Sequence, residues 1–232
     1  MRTEELAGDL AGLPHERVLE VRRLGLVPYA EGLALQESLV RQRRAGEVPD
    51  TLLLLEHPHV ITLGTGSHEE NVLIGPEERA RRGIELFSTG RGGDVTYHGP
   101  GQLVGYPILD LKPDRTDVHR YLRDVEEVLI RVLGDFGLTG SRRAGMTGVW
   151  AGDRKVAAIG VRVSSGWITS HGFALNVSTD LGFFDAIVPC GIREYGVGSI
   201  SGETGRRVAM REVEDSVVRH FANVFGHAAP AA

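Results

Sequence analysis

The sequence predicts one α/β domain of the α+β type, with a mixed β-sheet flanked by helices. Three observations carry this expectation. The 232 residues are 41% hydrophobic and 25% charged, the balance of a soluble globular chain long enough to bury one large core. Strand-length apolar runs and helix-period stripes are interleaved, without the strict strand–helix alternation of a doubly wound parallel sheet. Two strand segments, 155–164 and 167–177, meet at Ser165-Gly166, which signals a hairpin and therefore antiparallel pairing.

The elements follow in order. Residues 1–15 are poorly patterned and precede a single domain at 16–227, and residues 228–232 form a small-residue tail. Residues 17–24 read as a strand. Residues 28–44 read as a helix: Pro28 sits at a tolerated first-turn position, Leu33, Leu39 and Val40 follow, and Gly46 lies past the end. Residues 51–57 and 60–63 read as strands, with a turn at Pro58, which has no N–H to give to a ladder. Residues 102–111 form an apolar strand. The clearest helix is 117–136, where Val118, Tyr121, Leu122, Val125, Val128, Leu129, Val132, Leu133 and Phe136 make one stripe that Gly137 stops. Residues 211–225 form the last helix, with Val213, Val217, Phe221 and Val224 on one face.

Composition excludes several function classes. The longest apolar run, Thr51-Leu52-Leu53-Leu54-Leu55, is strand-sized, and the acidic N-terminus is unlike a signal peptide, so a cytoplasmic protein is expected. A net charge of -5 and a pI near 6.0 argue against sequence-independent nucleic-acid binding. The single cysteine, Cys190, excludes an intramolecular disulfide and a cysteine-based zinc finger. Lysine is scarce: Lys112 and Lys155 stand among 26 basic residues, the rest arginine.

Three stretches carry chemistry. Gly90-Arg91-Gly92-Gly93-Asp94-Val95-Thr96-Tyr97-His98-Gly99-Pro100-Gly101-Gln102 has five glycines in thirteen residues, which lets backbone approach a ligand closely. A plain glycine-rich turn reads the same way, and neither the P-loop nor the dinucleotide fingerprint fits. Arg154-Lys155-Val156-Ala157-Ala158-Ile159-Gly160 places one of the two lysines before a run of small residues, although a solvated strand-end lysine is the ordinary alternative. Ile187-Val188-Pro189-Cys190-Gly191-Ile192 offers a thiol followed by an uncrowded N–H suited to an oxyanion. A thiol reacts at neutral pH when a neighbour such as an ammonium lowers its pKa, and otherwise a lone cysteine is a small buried hydrophobe. His57-Pro58-His59, with His68 nearby, lacks a third ligand at a familiar metal spacing, so no metal is expected.

Together with Leu54-Leu55-Glu56-His57-Pro58 and His171-Gly172-Phe173-Ala174-Leu175-Asn176, these stretches resemble the lipoyl(octanoyl) transferase family from about residue 50 to 204. The resemblance implies the fold of the biotin/lipoate protein ligase superfamily. It implies transfer of an octanoyl group from octanoyl-acyl carrier protein to a lysine of a lipoyl domain, the first step of endogenous protein lipoylation. The acceptors implied are lipoyl domains of 2-oxoacid dehydrogenases and the glycine cleavage H protein, with no ATP or metal. By the same resemblance Cys190 is the acyl-thioester nucleophile and Lys155 the residue that lowers its pKa. The implied substrate-binding residues are Arg91, Gly92, Gly93, Asp94, Val95, Thr96, Tyr97 and His98, then Ala158, Ile159 and Gly160, then Gly172, Phe173 and Ala174.

An apolar slot is expected for the acyl chain, where burying seven alkyl carbons is worth roughly 5 kcal/mol before ordering costs. Acidic partners would be steered by an arginine rim, for which Arg79, Arg81, Arg82, Arg142 and Arg143 are candidates. No nucleic-acid or membrane partner is expected, and a monomer is. The nearest rival is an ATP-dependent lipoate–protein ligase. It is disfavoured because His98 is followed by Gly99-Pro100-Gly101 where ligases generally have Asp, and because ligases need no cysteine. A non-catalytic module of the same fold would be expected to lack Cys190 or Lys155.

Overall fold

The first strand, β1 (Leu19–Leu26), pairs in parallel with β2 (Asp50–Glu56), so the chain must cross over between them, and helix α1 (Tyr29–Ala45) makes that crossing. Gly46, at φ 74°, caps α1 in the left-handed conformation expected past a helix end. The computed structural model describes residues 17–188 and 196–228.

The strands that follow build two sheets. After β2 come β3 (Val60–Leu63), the short helix α2 (Pro76–Arg81), β4 (Glu85–Ser88), β5 (Val95–His98) and β6 (Gln102–Ile108). Helix α3 (Val118–Asp135) leads to β7 (Gly140–Arg143), β8 (Met146–Ala151), β9 (Arg154–Val163) and β10 (Thr169–Asn176). The two-residue β11 (Gly196–Val197), α4 (Ile200–Thr204) and α5 (Met210–Phe225) complete the described chain. The large sheet has the order β1-β2-β6-β10-β9-β8-β7, with β11 paired to β9. The β1–β2 and β9–β11 pairs are parallel and the rest antiparallel, which is the mixed sheet expected. The predicted hairpin is β9–β10, closed by the Trp167 N–H to the Ser164 carbonyl.

A second sheet, β4-β3-β5, was not anticipated. β2 and β3 read as neighbours in sequence, yet the turn at Pro58 sends β3 away to pair with β4 and β5. Strands β4 and β7 are short, with polar and exposed residues, so no alternation announces them.

Period-two alternation sorts the large sheet's side chains. Leu52, Leu54, Leu103, Phe173 and Leu175 face α3 and α5, where the predicted stripe Tyr121, Val125, Val128, Leu129, Val132 and Leu133 meets Val213, Val217, Phe221 and Phe225. Asp117 caps α3 by accepting the N–H groups of His119 and Arg120. Leu53, Leu55, Val104, Tyr106, Ile108 and Ala174 face the other way, toward Leu39 of α1. The small sheet has its own core of Ile61, Leu63, Val95, Tyr97, Phe184 and Ile187. Among the described residues no helix is long and apolar enough to cross a membrane.

Candidate active site

The glycine-rich loop stitches the two sheets together. The Arg91 and Gly93 carbonyls accept N–H groups of Thr65 and Gly66 after β3, while Gly92 N–H reaches across to the Val161 carbonyl of β9 at 3.0 Å. Where the loop crosses β9 it lies directly on Gly160: a Cβ there would sit 2.8 Å from the Gly92 carbonyl oxygen. Only glycine at 160 lets the loop pass so close.

Below this crossing lies a narrow cleft. Its floor is Ala158, Ile159 and Gly160 of β9 beside Gly172, Phe173 and Ala174 of β10, and its far wall is Arg91, Gly93, Asp94, Thr96 and His98. Three segments far apart in sequence thus converge because β9 and β10 are antiparallel neighbours, with Gly160 opposite Gly172 and Ala158 opposite Ala174. Small side chains in register leave the volume open. Val95 and Tyr97, expected with the binding segment, turn away by the alternation of β5 into the small sheet's core, where the Tyr97 hydroxyl bonds His59 Nδ1 at 2.7 Å. Gly92 lines a different cleft.

That second, more open cleft shares Gly93, Asp94, Ile159 and Gly160 with the first. Lys155 lines it, with Gly92, Val118, Leu122, Met146 and Thr147 among its walls. The Lys155 Nζ lies 5.2 Å from the Trp150 ring centroid. Cys190 lies outside the described residues, as do Pro189, Gly191 and Ile192. The described chain stops at Val188, whose N–H bonds the Asn71 carbonyl, and Asn71 Nδ2 in turn bonds Asp94 at the junction of the clefts. It resumes at Gly196, paired with Arg154 next to Lys155.

Arg91 is 7% exposed, and its guanidinium is held by the Thr62 carbonyl at 2.7 Å and the Thr62 hydroxyl at 2.9 Å. It closes the cleft as a clip onto β3 more than it reaches into solvent. His98 is fixed by a chain of side-chain amides. Gln102 Nε2 donates to the Tyr97 carbonyl and to Asn176 Oδ1, so Gln102 Oε1 must accept the His98 Nδ1–H at 2.7 Å. This leaves His98 Nε2 as an acceptor at the cleft wall, with no hydrogen bond among the described residues.

Burial keeps the histidines around the cleft uncharged. Desolvation, with the nearby His57, pushes His98 down to about 3. Desolvation takes His57 to about 4 against the raising effect of its hydrogen bond to the Val27 carbonyl, and His171 falls to about 4 through desolvation and the positive Arg91 and Arg162. Each folded pKa is below the unfolded value near 6.5, so the stability these groups contribute is present above pH 6.5 and is lost as pH falls toward 3–4. Urea unfolding should show stability dropping between pH 7.5 and 5.5, by up to about 1.4 kcal/mol per histidine. Stability that is flat or rising over that interval would contradict charge-neutral histidines.

Each arginine expected at the rim has a local partner, Arg79 donating to the Ile74 carbonyl at 3.0 Å. Arg142 is paired with Glu126 and Glu127, Arg143 with Asp153 and Arg81 with Glu78, while Arg82 stacks on Phe183.

The sequence matches the lipoyl protein ligase A/B catalytic domain over residues 28–222. It is 58% identical over 210 residues to the octanoyltransferase of Rubrobacter xylanophilus, covering 90% of this chain and 94% of that one. It is 54% identical over 205 residues to the octanoyltransferase of Solibacter usitatus, covering 88% and 92%. The chain belongs to the octanoyltransferase family. In fold it is similar to the bipartite lipoate protein ligase of Thermoplasma acidophilum, a structure described with that ligase's E2 lipoyl domain. That likeness has a TM-score of 0.68 at 18% identity, covers 92% of this chain and 87% of the other, and shows a shared fold. This octanoyltransferase-family chain also has site features that sequence reasoning missed: the second cleft's walls at Val118, Leu122, Met146 and Thr147, and the buried Glu126 behind them. The Gly145–Gly148 pair flanking Met146 and Thr147 was the one available signal.

Proposed function

We propose that this protein is an acyltransferase that moves an octanoyl group from octanoyl-acyl carrier protein to a lysine of a lipoyl domain through a Cys190 thioester. The observation that carries the reading is the pair of clefts that share Gly93, Asp94, Ile159 and Gly160. One is narrow and floored by glycine and alanine, and the other is open and holds Lys155. The acyl chain lies in the first and its carbonyl at the junction beside Asp94, Ile159 and Gly160. The carrier arm and then the acceptor lysine enter through the second.

The chemistry balances without ATP or metal. Lys155 as an ammonium favours the Cys190 thiolate, which attacks the thioester carbonyl, and the Gly191 N–H helps hold the oxyanion. The carbon–sulfur bond to the carrier breaks, and the departing carrier thiolate takes the Lys155 proton. The acceptor amine then attacks the acyl-enzyme, the bond to Cys190 Sγ breaks, and the now neutral Lys155 takes the amine's proton. Thioester-to-thioester exchange is nearly thermoneutral and amide formation is downhill, so no adenylate is needed.

The test supplies octanoyl-acyl carrier protein and a lipoyl domain with no nucleotide. The reading predicts a lipoyl-domain mass increase of one octanoyl group and ping-pong kinetics. Modification that appears only with free octanoate and ATP would establish the ligase chemistry instead.

A further inference from the structure

We propose that Glu126 is a positioning residue for Lys155, acting through the backbone of Gly148; the proposal rests on the reading of Lys155 as the group that moves protons. Glu126 sits on α3 with its side chain fully buried. Its Oε2 accepts from Arg123 at 2.6 Å and Arg142 at 3.0 Å, and its Oε1 accepts the Gly148 N–H at 3.2 Å. A buried carboxylate held by two arginines contributes little net stability compared with a well-packed apolar side chain. Its direct hold is on the backbone of β8, at a residue that no other type could replace.

Gly148 has φ +140°, and a Cβ built on it would lie 2.6 Å from Lys155 Cε and 2.6 Å from the Ala157 carbonyl oxygen. The lysine stem therefore crosses Gly148 at a distance that only a hydrogen atom permits. The strand pairing slips at the same place. Val149 is opposite Ala157 but Trp150 is opposite Lys155, so β9 carries one extra residue there. A bulge of this kind re-aims a side chain out of the regular alternation. Glu126 fixes the Gly148 backbone, Gly148 leaves the track open, and the bulge turns Lys155 along that track past Trp150 into the second cleft.

The chain has two lysines, so lysine-selective isotope labelling of the intact protein yields two side-chain sets that the Lys155→Arg variant assigns. The Lys155 ε-methylene signal should be displaced upfield by the Trp150 ring while that of Lys112 is not. The displacement should be lost in Gly148→Ala and Glu126→Leu and kept in Glu126→Gln, which retains an acceptor for the Gly148 N–H. Turnover should fall about 10²-fold in the first two variants, with KM for the octanoyl donor nearly unchanged, and stay near wild type in the third. In a Lys155→Ala background Gly148→Ala should cost nothing further, whereas a merely structural role predicts additive losses. Glu126→Leu carries the same comparison if Gly148→Ala does not fold. An unmoved Lys155 signal, or full additivity with Lys155→Ala, overturns the proposal. Wild-type turnover in Lys155→Ala overturns the catalytic reading instead, and the resonance position still reports whether Glu126 and Gly148 seat the lysine.

Discussion

Replacing Lys155 by alanine is expected to lower octanoyl transfer by about 10³-fold, the range for losing a general acid–base group that also activates a nucleophile. The position leaves little room for a substitute. Lys112 is the other lysine in the chain, at the Lys112-Pro113 peptide before α3, where it faces Asp110 from an exposed site. The residues that share the second cleft with Lys155 are glycines, Asp94, Thr147 and apolar side chains, none of which is a base of matching strength. The loss should fall on kcat with the octanoyl donor, and the pH at which Cys190 is alkylated by iodoacetamide should rise in the variant. Transfer within a few-fold of wild type, with an unchanged alkylation profile, would remove Lys155 from the mechanism.

Ala158→Leu is expected to change which acyl chain is accepted. Ala158 lies on the floor of the small cleft, opposite Ala174 in the β9–β10 register, and is half-buried, so a longer side chain projects into the cleft without invading the core. Leucine adds three carbons in the space that three methylenes of the substrate would use. At about 0.8 kcal/mol per methylene this is roughly 2.4 kcal/mol, a loss of about 50-fold in kcat/KM for octanoyl donors. Butanoyl donors should be nearly unaffected. Equal losses for both chain lengths would mean that the acyl chain lies elsewhere.

Long, strongly periodic elements were legible from residues alone. The stripe from Val118 to Phe136 became α3 within a residue at each end, and the Ser165-Gly166 turn marked the β9–β10 hairpin that later proved to floor the cleft. Those elements are set by local spacing, which a sequence displays directly. The small sheet was not legible, because β4 is exposed and β3 is four residues long; their pairing depends on a turn at Pro58 whose direction no local pattern specifies. The glycine-rich loop announced itself by composition, yet which of its residues face the cleft followed from β5 alternation, which sends Thr96 and His98 in and Val95 and Tyr97 out. Glu126 carried no signal at all. A glutamate among the arginines of α3 reads as a solvated charge, and its burial arises from β8 packing against the helix, a contact 22 residues away in sequence.

The central claim is a covalent acyl-enzyme at Cys190, and intact mass after mixing with octanoyl-acyl carrier protein in the absence of ATP tests it most directly. The account predicts a single octanoyl adduct on the wild-type protein, absent in Cys190→Ala and discharged when a lipoyl domain is added. An adduct that persists in Cys190→Ala, or lipoyl-domain octanoylation by that variant at the wild-type rate, would contradict it.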